Sequence, residues 1–523
     1  MSNKILKILK KIKIEHIFLF YIFVQPFIDI YLTFNKHPFQ IAGLAINALI
    51  NFAFVFGVVL YYVVKVIKNK RIDLIKKDLI ILIVYVGVFL IYSVLHYLNM
   101  QQFDDDIFNR HAYGYIKETY FIFRCFVLPL IFLYTLYRLK ISKEKIILAI
   151  KVSIFIICFV IIGTNIFGVS LASYAEHGKL IYIDGSIFHW PFFNGSDDFD
   201  LYTSKGWFHS ANELSAILIA FSPLIVYSAF MPENKNEKES VFDVVLLLVL
   251  IITINMLGTR TASLGFALVL VCVFLLFIFF KIIKKINIDF KKFIFKFSIF
   301  SLIFTVLFFI SPFYNNRYGE YKSVFKERPL KEKLKKKHKA TDKSFAKFVE
   351  DNAWYFFIEP QLLDIYPVNN DKEFWQYIIT RDLRLNTNYR IIKTDIYNRI
   401  FERNDNKFDY ALGIGYNDVL TTERDYAMQV YYFGVVGVLI LIGPFILSIL
   451  YCCYRVLRYQ QKFFKLDVLI VLMGNFIGIM VPYLTGHVFG IVFPMTYIVL
   501  NTLLILTMVR DDEKFVIEKE KAN

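Results

Sequence analysis

The sequence predicts an all-α polytopic membrane protein of about 12 transmembrane helices with one large helical extracytoplasmic loop. Three observations carry that prediction. The 523 residues are 57% hydrophobic and have a mean hydropathy of +0.52, an apolar excess beyond what a soluble core needs. The apolar residues gather into runs of span length. Lys and Arg collect on alternate connections between those runs.

A span needs about 20 mostly apolar residues to cross a hydrocarbon core of about 30 Å, because unpaired backbone groups are costly in lipid. The opening KILKKIKIEHIFLFYIFV has the basic and apolar parts of a signal peptide without a small-residue cleavage site after them, and reads as the first span. Spans are expected near 14–33, 41–65, 78–98, 116–137, 146–168, 211–230, 242–258, 261–281, 293–313, 426–454, 468–484 and 488–509. The basic clusters Lys4–Lys13, Lys68–Lys77, Arg138–Lys145, Lys281–Lys296, Arg455–Lys465 and Arg510–Lys521 all fall on one side of this layout. That side is cytoplasmic and holds both termini, which makes the chain a multi-pass protein of the cell membrane. The other side carries Asp104, Asp105 and Asp106, and a segment 169–210 containing Asp197, Asp198 and Asp200.

The chain thus divides into nine spans within 1–313, an extracytoplasmic segment 314–425, three spans within 426–509 and a cytoplasmic tail 510–523. The outer segment opens with KERPLKEKLKKKHK, either a solvated helical face or an adhesive for anionic headgroups or glycopolymer. It ends in NTNYRIIKTDIYNRIFERND, a helix on which Arg390 and Arg399 lie nine residues apart and so on opposite faces. The formal charge of +16 is accounted for by topology, with no nucleic-acid partner. The five cysteines all sit in apolar runs, so no disulfide framework or zinc pattern is available.

Soluble-enzyme motifs are missing: there is no P-loop, dinucleotide fingerprint, H-E-x-x-H or G-x-S-x-G. Candidate chemistry lies instead at the outer ends of spans. GTRTASLGF places Arg260 at the membrane boundary, where a guanidinium either snorkels to headgroups or grips a phosphate through two parallel hydrogen bonds. TTERDYAMQVYYFGVVG puts Glu423, Arg424 and Asp425 before a span rich in Tyr. Those charges read equally as an interfacial anchor or as a half-dry carboxylate that accepts a proton from a sugar hydroxyl. GWFHSANELSAIL sets His209, Asn212 and Glu213 at another outer start, with Ser210 or Asn212 available as a helix cap.

Taken in order, GWFHSANELSAILIAFSPL, GTRTASLGF, ALGIGYND and ERDYAMQVYYFGVVG resemble the bacterial O-antigen polymerase and ligase superfamily, from about His209 to Pro444. That family's Arg-x-x-x-Leu motif is matched by Arg260–Leu264; Arg124–Leu128 and Arg381–Leu385 also fit, and position selects Arg260. The ligase signature of His, a small polar residue, nine residues and Gly-x-x-Gly meets Glu423 and Arg424 ahead of Gly434 and Gly437. Glu in place of His is similar to the Gram-positive branch, which includes teichuronic acid and capsule repeat-unit polymerases. The resemblance implies glycosyl transfer at the outer face, from a polyprenyl-pyrophosphate-linked oligosaccharide to an acceptor hydroxyl, with no metal and no nucleotide sugar. It implies Arg260 and Arg390 on the pyrophosphate, Glu423 on the acceptor, and Arg399, Asn212, His209, Asp425 and Tyr416 as further substrate contacts. Membrane lipid and other envelope polysaccharide assembly proteins are the implied partners.

Alternatives are a ligase that moves the glycan to another acceptor, and a transferase using polyprenyl monophosphate sugars in which Asp104–Asp106 bind metal. A flippase is the non-enzyme rival. Such a protein lines its path with buried charges, and within the spans the charges are chiefly Asp29 and Arg124.

Overall fold

Long apolar helices dominate the structure, and the computed structural model describes residues 13–35, 40–41, 44–103, 114–174, 180–192, 199–231, 237–284, 289–314, 339–386, 389–417 and 420–510. The basic run KERPLKEKLKKKHK, apart from Lys339, and Asp104–Asp106 lie outside the described residues.

The first half contains α1 (Ile14–Phe34), α2 (Ile46–Lys68), α3 (Ile72–Met100), α4 (Tyr115–Leu139), α5 (Lys143–Ile166), α6 (Ala211–Phe230), α7 (Glu237–Leu257), α8 (Arg260–Ile282) and α9 (Phe290–Ile310). The polar segment follows with α10 (Phe345–Asp351), α11 (Pro360–Ile365), α12 (Lys372–Thr380), α13 (Leu383–Asn386), α14 (Tyr389–Asn404) and α15 (Asp409–Leu412). Beyond it come α16 (Asp425–Leu441), α17 (Gly443–Arg458), α18 (Leu466–Leu484) and α19 (Val492–Met508). Ten helical stretches among the described residues are long and apolar enough to cross a membrane, with Val241–Leu257 and Val492–Met508 as shorter apolar helices. The protein is a multi-pass, all-α membrane protein. The strands among the described residues are the two-residue pair Gln40–Ile41 and Leu44–Ala45.

Helix α6 is the axis of the bundle. Its apolar window is 89% buried, against 11% for α3, and it packs on α18, α8 and α7. A helix apolar all round is at home only inside such a bundle, whereas α3 presents its side chains to lipid. Small side chains let neighbours approach: Gly265 on α8 meets Ile219, and Gly474 on α18 faces the Ala220 carbonyl. The starts of α6 and α8 are fixed by hydroxyl caps. Ser210 accepts from the Asn212 N–H at 3.2 Å and Thr259 from the Ala262 N–H at 3.1 Å.

The span expected at 426–454 departs most from expectation. The helix opens at Gly434, whose φ of 66° and ψ of 174° only glycine adopts without strain, and it breaks again before Gly443. Opening frees three carbonyls, and each finds a donor elsewhere. The N–H groups of Ile414 and Gly415 reach Tyr431 and Tyr432, both at 2.9 Å, and the Tyr92 hydroxyl reaches Phe433 at 2.7 Å. The chain of ALGIGYN is thereby stitched into the opened helix. Gly413 and Gly434 leave no room for a Cβ, which would stand 2.2 Å from the Tyr432 and Ala411 carbonyl oxygens respectively.

The polar segment has its own packed interior. Trp375, Tyr366, Phe356, Ile378, Ile396 and Tyr397 are buried there, and Trp375 donates through Nε1 to the Tyr366 carbonyl at 3.1 Å. From this core α14 carries Arg390 down to the ends of the spans.

Candidate active site

Glu423 lies two residues before α16, and four elements converge on it. Its Oε2 accepts from Arg390 Nε at 2.8 Å, from Arg390 Nη2, and from Asn212 Nδ2 at 3.3 Å. Arg390 also donates through Nη1 to the Leu484 carbonyl at 3.1 Å, so the guanidinium ties α14 to the C-terminus of α18. All three donors meet one carboxylate oxygen; among the described residues none donates to Oε1. The pair is half-buried, with side chains 28% and 25% exposed. Burial works against the Glu423 charge, but Arg390 and then His487 outweigh it and hold the carboxyl below its ordinary range.

The backbone beneath Glu423 is set by the segment between α18 and α19. A Cβ on Gly486 would stand 2.5 Å from the Glu423 Cα, so glycine is what lets the two chains touch. Asp425 holds this segment in place. It is fully buried and accepts from the N–H groups of His487, Val488 and Phe489 at 2.8, 2.6 and 2.7 Å. Three successive amides around one carboxylate form a nest.

On the facing side, Asn212 opens α6 together with His209 and Glu213. His209 Nδ1 pairs with Glu213 Oε1 at 2.9 Å. Thr259, the cap of α8, shares a 2.6 Å hydrogen bond with Ser215, one helical turn past Asn212. That bond sets Arg260, exposed at the first turn of α8, at the same end of the bundle.

The structure therefore brings Glu423, Arg390 and Asn212 together, with His209 three residues before Asn212 and Arg260 at the start of the neighbouring helix. It places three expected contacts elsewhere. Arg399 points to the opposite face of α14, where its Nε donates to Asp371 Oδ2 at 2.7 Å and its Nη1 to Glu402 at 3.2 Å. Asp425 faces the backbone nest and not the Arg390–Glu423 pair. Tyr416 donates its N–H to Glu118 Oε2 at 2.7 Å, and its ring stacks on Phe121 at 4.5 Å. Sequence reasoning missed His487 and the Leu484 carbonyl. The signal was the pair Gly486 and Gly490 bracketing a histidine between two spans; the expected connection 485–487 is a longer segment, and α19 begins at Val492.

A carboxylate, a guanidinium and an amide held together at the ends of membrane helices define a multi-pass membrane protein with a polar cluster at one end of its bundle. Residues 11–511 match the family model described as O-antigen ligase like membrane protein, and the chain belongs to that family. Membership makes it a membrane enzyme that handles lipid-linked glycans. No curated protein and no solved structure matches the chain.

Proposed function

We propose that this protein polymerises lipid-linked repeat units of a cell-envelope polysaccharide at the outer face of the cytoplasmic membrane. The transfer runs from a polyprenyl pyrophosphate donor to an acceptor hydroxyl without a metal. The observation that carries this reading is the Arg390–Glu423–Asn212 cluster at the span ends. Breaking a sugar–pyrophosphate bond builds negative charge on the leaving group, and Arg260 and Arg390 supply fixed positive donors for it. Glu423 keeps Oε1 for the acceptor hydroxyl and orients its oxygen toward the anomeric carbon. Glu423 in the place of the ligase histidine supports polymerisation over ligation. In this orientation the lysine-rich connections and both termini are cytoplasmic, and envelope assembly proteins act alongside.

Analysis of lipid-linked glycans in a deletion strain carrying variants tests the reading. Glu423→Gln and Arg260→Ala should each accumulate single repeat units on the carrier and lose long chains, Arg260→Ala slowing transfer on the order of 10²-fold. Long chains left on the carrier would mean a ligase, and units retained on the inner leaflet a flippase. Normal chain lengths in both variants would sink the assignment.

A further inference from the structure

Glu423 is a weak candidate for removing the acceptor's proton. Its Oε2 is saturated by Arg390 and Asn212, and neighbouring positive charges keep the carboxyl ionised and poorly basic. A different pair of groups, His209 and Glu213, flanks Asn212. His209 has a side chain 55% exposed, while its partner Glu213 is 1% exposed. The 2.9 Å contact uses His209 Nδ1, and among the described residues no group bonds to Nε2. Among the described residues the buried Glu213 Oε2 has no hydrogen-bond partner, so the imidazole on Oε1 is the group that partners this carboxylate.

The backbone of His209 is fixed at both of its polar groups. Its N–H donates to Asp29 Oδ2 on α1 at 3.0 Å, and its carbonyl accepts from Lys205 Nζ at 2.9 Å. An imidazole with one nitrogen held by a buried carboxylate and the other turned outward has the form of an oriented general base. It lies three residues before Asn212, which touches Glu423 at the start of the same helix.

We infer that His209, oriented by Glu213, takes the proton of the acceptor hydroxyl during transfer. The inference rests on the transfer reaction proposed above. The acceptor oxygen bonds to the anomeric carbon as the bond from that carbon to the pyrophosphate oxygen breaks. The bonding pair leaves with the pyrophosphate, and the hydroxyl proton passes to His209 Nε2 and then to water. Glu213 is a positioning residue: it holds Nδ1 protonated, so Nε2 carries the free lone pair.

The charged groups facing His209 are Glu213 on its own helix, Asp29 from α1 and Lys205 from the preceding loop. The hydrogen bond to Glu213 dominates and places the imidazole above its ordinary value of 6.5. A base works in its neutral form, so the rate should fall as pH drops through that raised value. Removing the carboxylate should move the fall downward.

Membrane vesicles from a producing strain, charged with the strain's own lipid-linked glycan, provide the test through chain elongation against pH. His209→Ala should slow elongation by about 10² to 10⁴-fold, the range for a lost general base. Added imidazole should restore part of the rate, and Glu213→Gln should shift the acid midpoint toward 6.5. Elongation by His209→Ala at the wild-type rate overturns the role. So does an inactive His209→Ala that imidazole fails to restore, which leaves the residue only the counter-charge of Glu213. Should His209→Ala fail to reach the membrane, Glu213→Gln decides alone, and an unmoved midpoint overturns the role. Wild-type vesicles that elongate nothing overturn the transfer reaction and this role with it.

Discussion

Two arginines on one helix show how a nine-residue spacing separates tasks. Arg390 meets Glu423, whereas Arg399 meets Asp371, a carboxylate with a side chain only 6% exposed. Burial opposes the Asp371 charge, but Arg399, the Phe374 N–H and the Tyr366 hydroxyl outweigh it and hold the carboxyl below its ordinary value. A depressed carboxyl stabilises the fold above its unfolded pKa, and that contribution fades as pH falls through the lower folded value. Arg399→Ala should therefore lower the melting point in detergent, losing on the order of 2–3 kcal/mol near neutral pH, with no loss at the most acid end. Glycan transfer at low temperature should persist. Arg390→Ala is expected to abolish most transfer and also to lower the melting point near neutral pH, since Glu423 loses the charge that holds its carboxyl down and α14 loses its tie to α18. With Arg390 gone, burial at Glu423 is opposed only by the weaker His487 and Lys393 charges, so its carboxyl moves up from its wild-type position. Helical periodicity showed in advance that only one of the two arginines addresses a given pocket. It could not reveal Asp371 as the partner of the other, because a contact between separate helices leaves no mark in local spacing.

At the level of the helix, the opening at Gly434 couples the polar segment to the membrane bundle. A Cβ at this position meets the Ala411 carbonyl, and the backbone angles suit glycine alone. Gly434→Ala should cost on the order of 3 kcal/mol, read as a lower melting point with loss of transfer. The apolar run 426–454 predicts one uninterrupted span, since hydropathy averages over a window and is blind to a single φ. The same blindness explains residues 40–45, where the apolar QIAGLA reads as the start of a span yet contains a short strand pair, and α2 begins at Ile46. The helix start at Ser210 was more legible, because a hydroxyl cap is a local signal.

For the molecule as a whole, charge asymmetry predicts that the connection between α4 and α5 faces the cytoplasm and the polar segment faces outward. In a cysteine-free background, a cysteine replacing exposed Lys407 should react with an impermeant maleimide in intact cells. One replacing exposed Glu144 should react only after permeabilisation. Equal labelling of both would reverse or dismantle the assigned orientation. The spans were legible because each carries its own apolar signal. The site was legible only in pieces, since the groups that surround Glu423 come from positions 212, 390, 484 and 487. That dispersal also bears on biosynthesis. The ribosome emits Asn212 and Arg390 long before the segment around Gly486, and Asp425 has nothing to grip until the amides of His487, Val488 and Phe489 arrive. The surroundings of Glu423 are thus incomplete through most of the chain's insertion, until the connection between the last two helices is laid down.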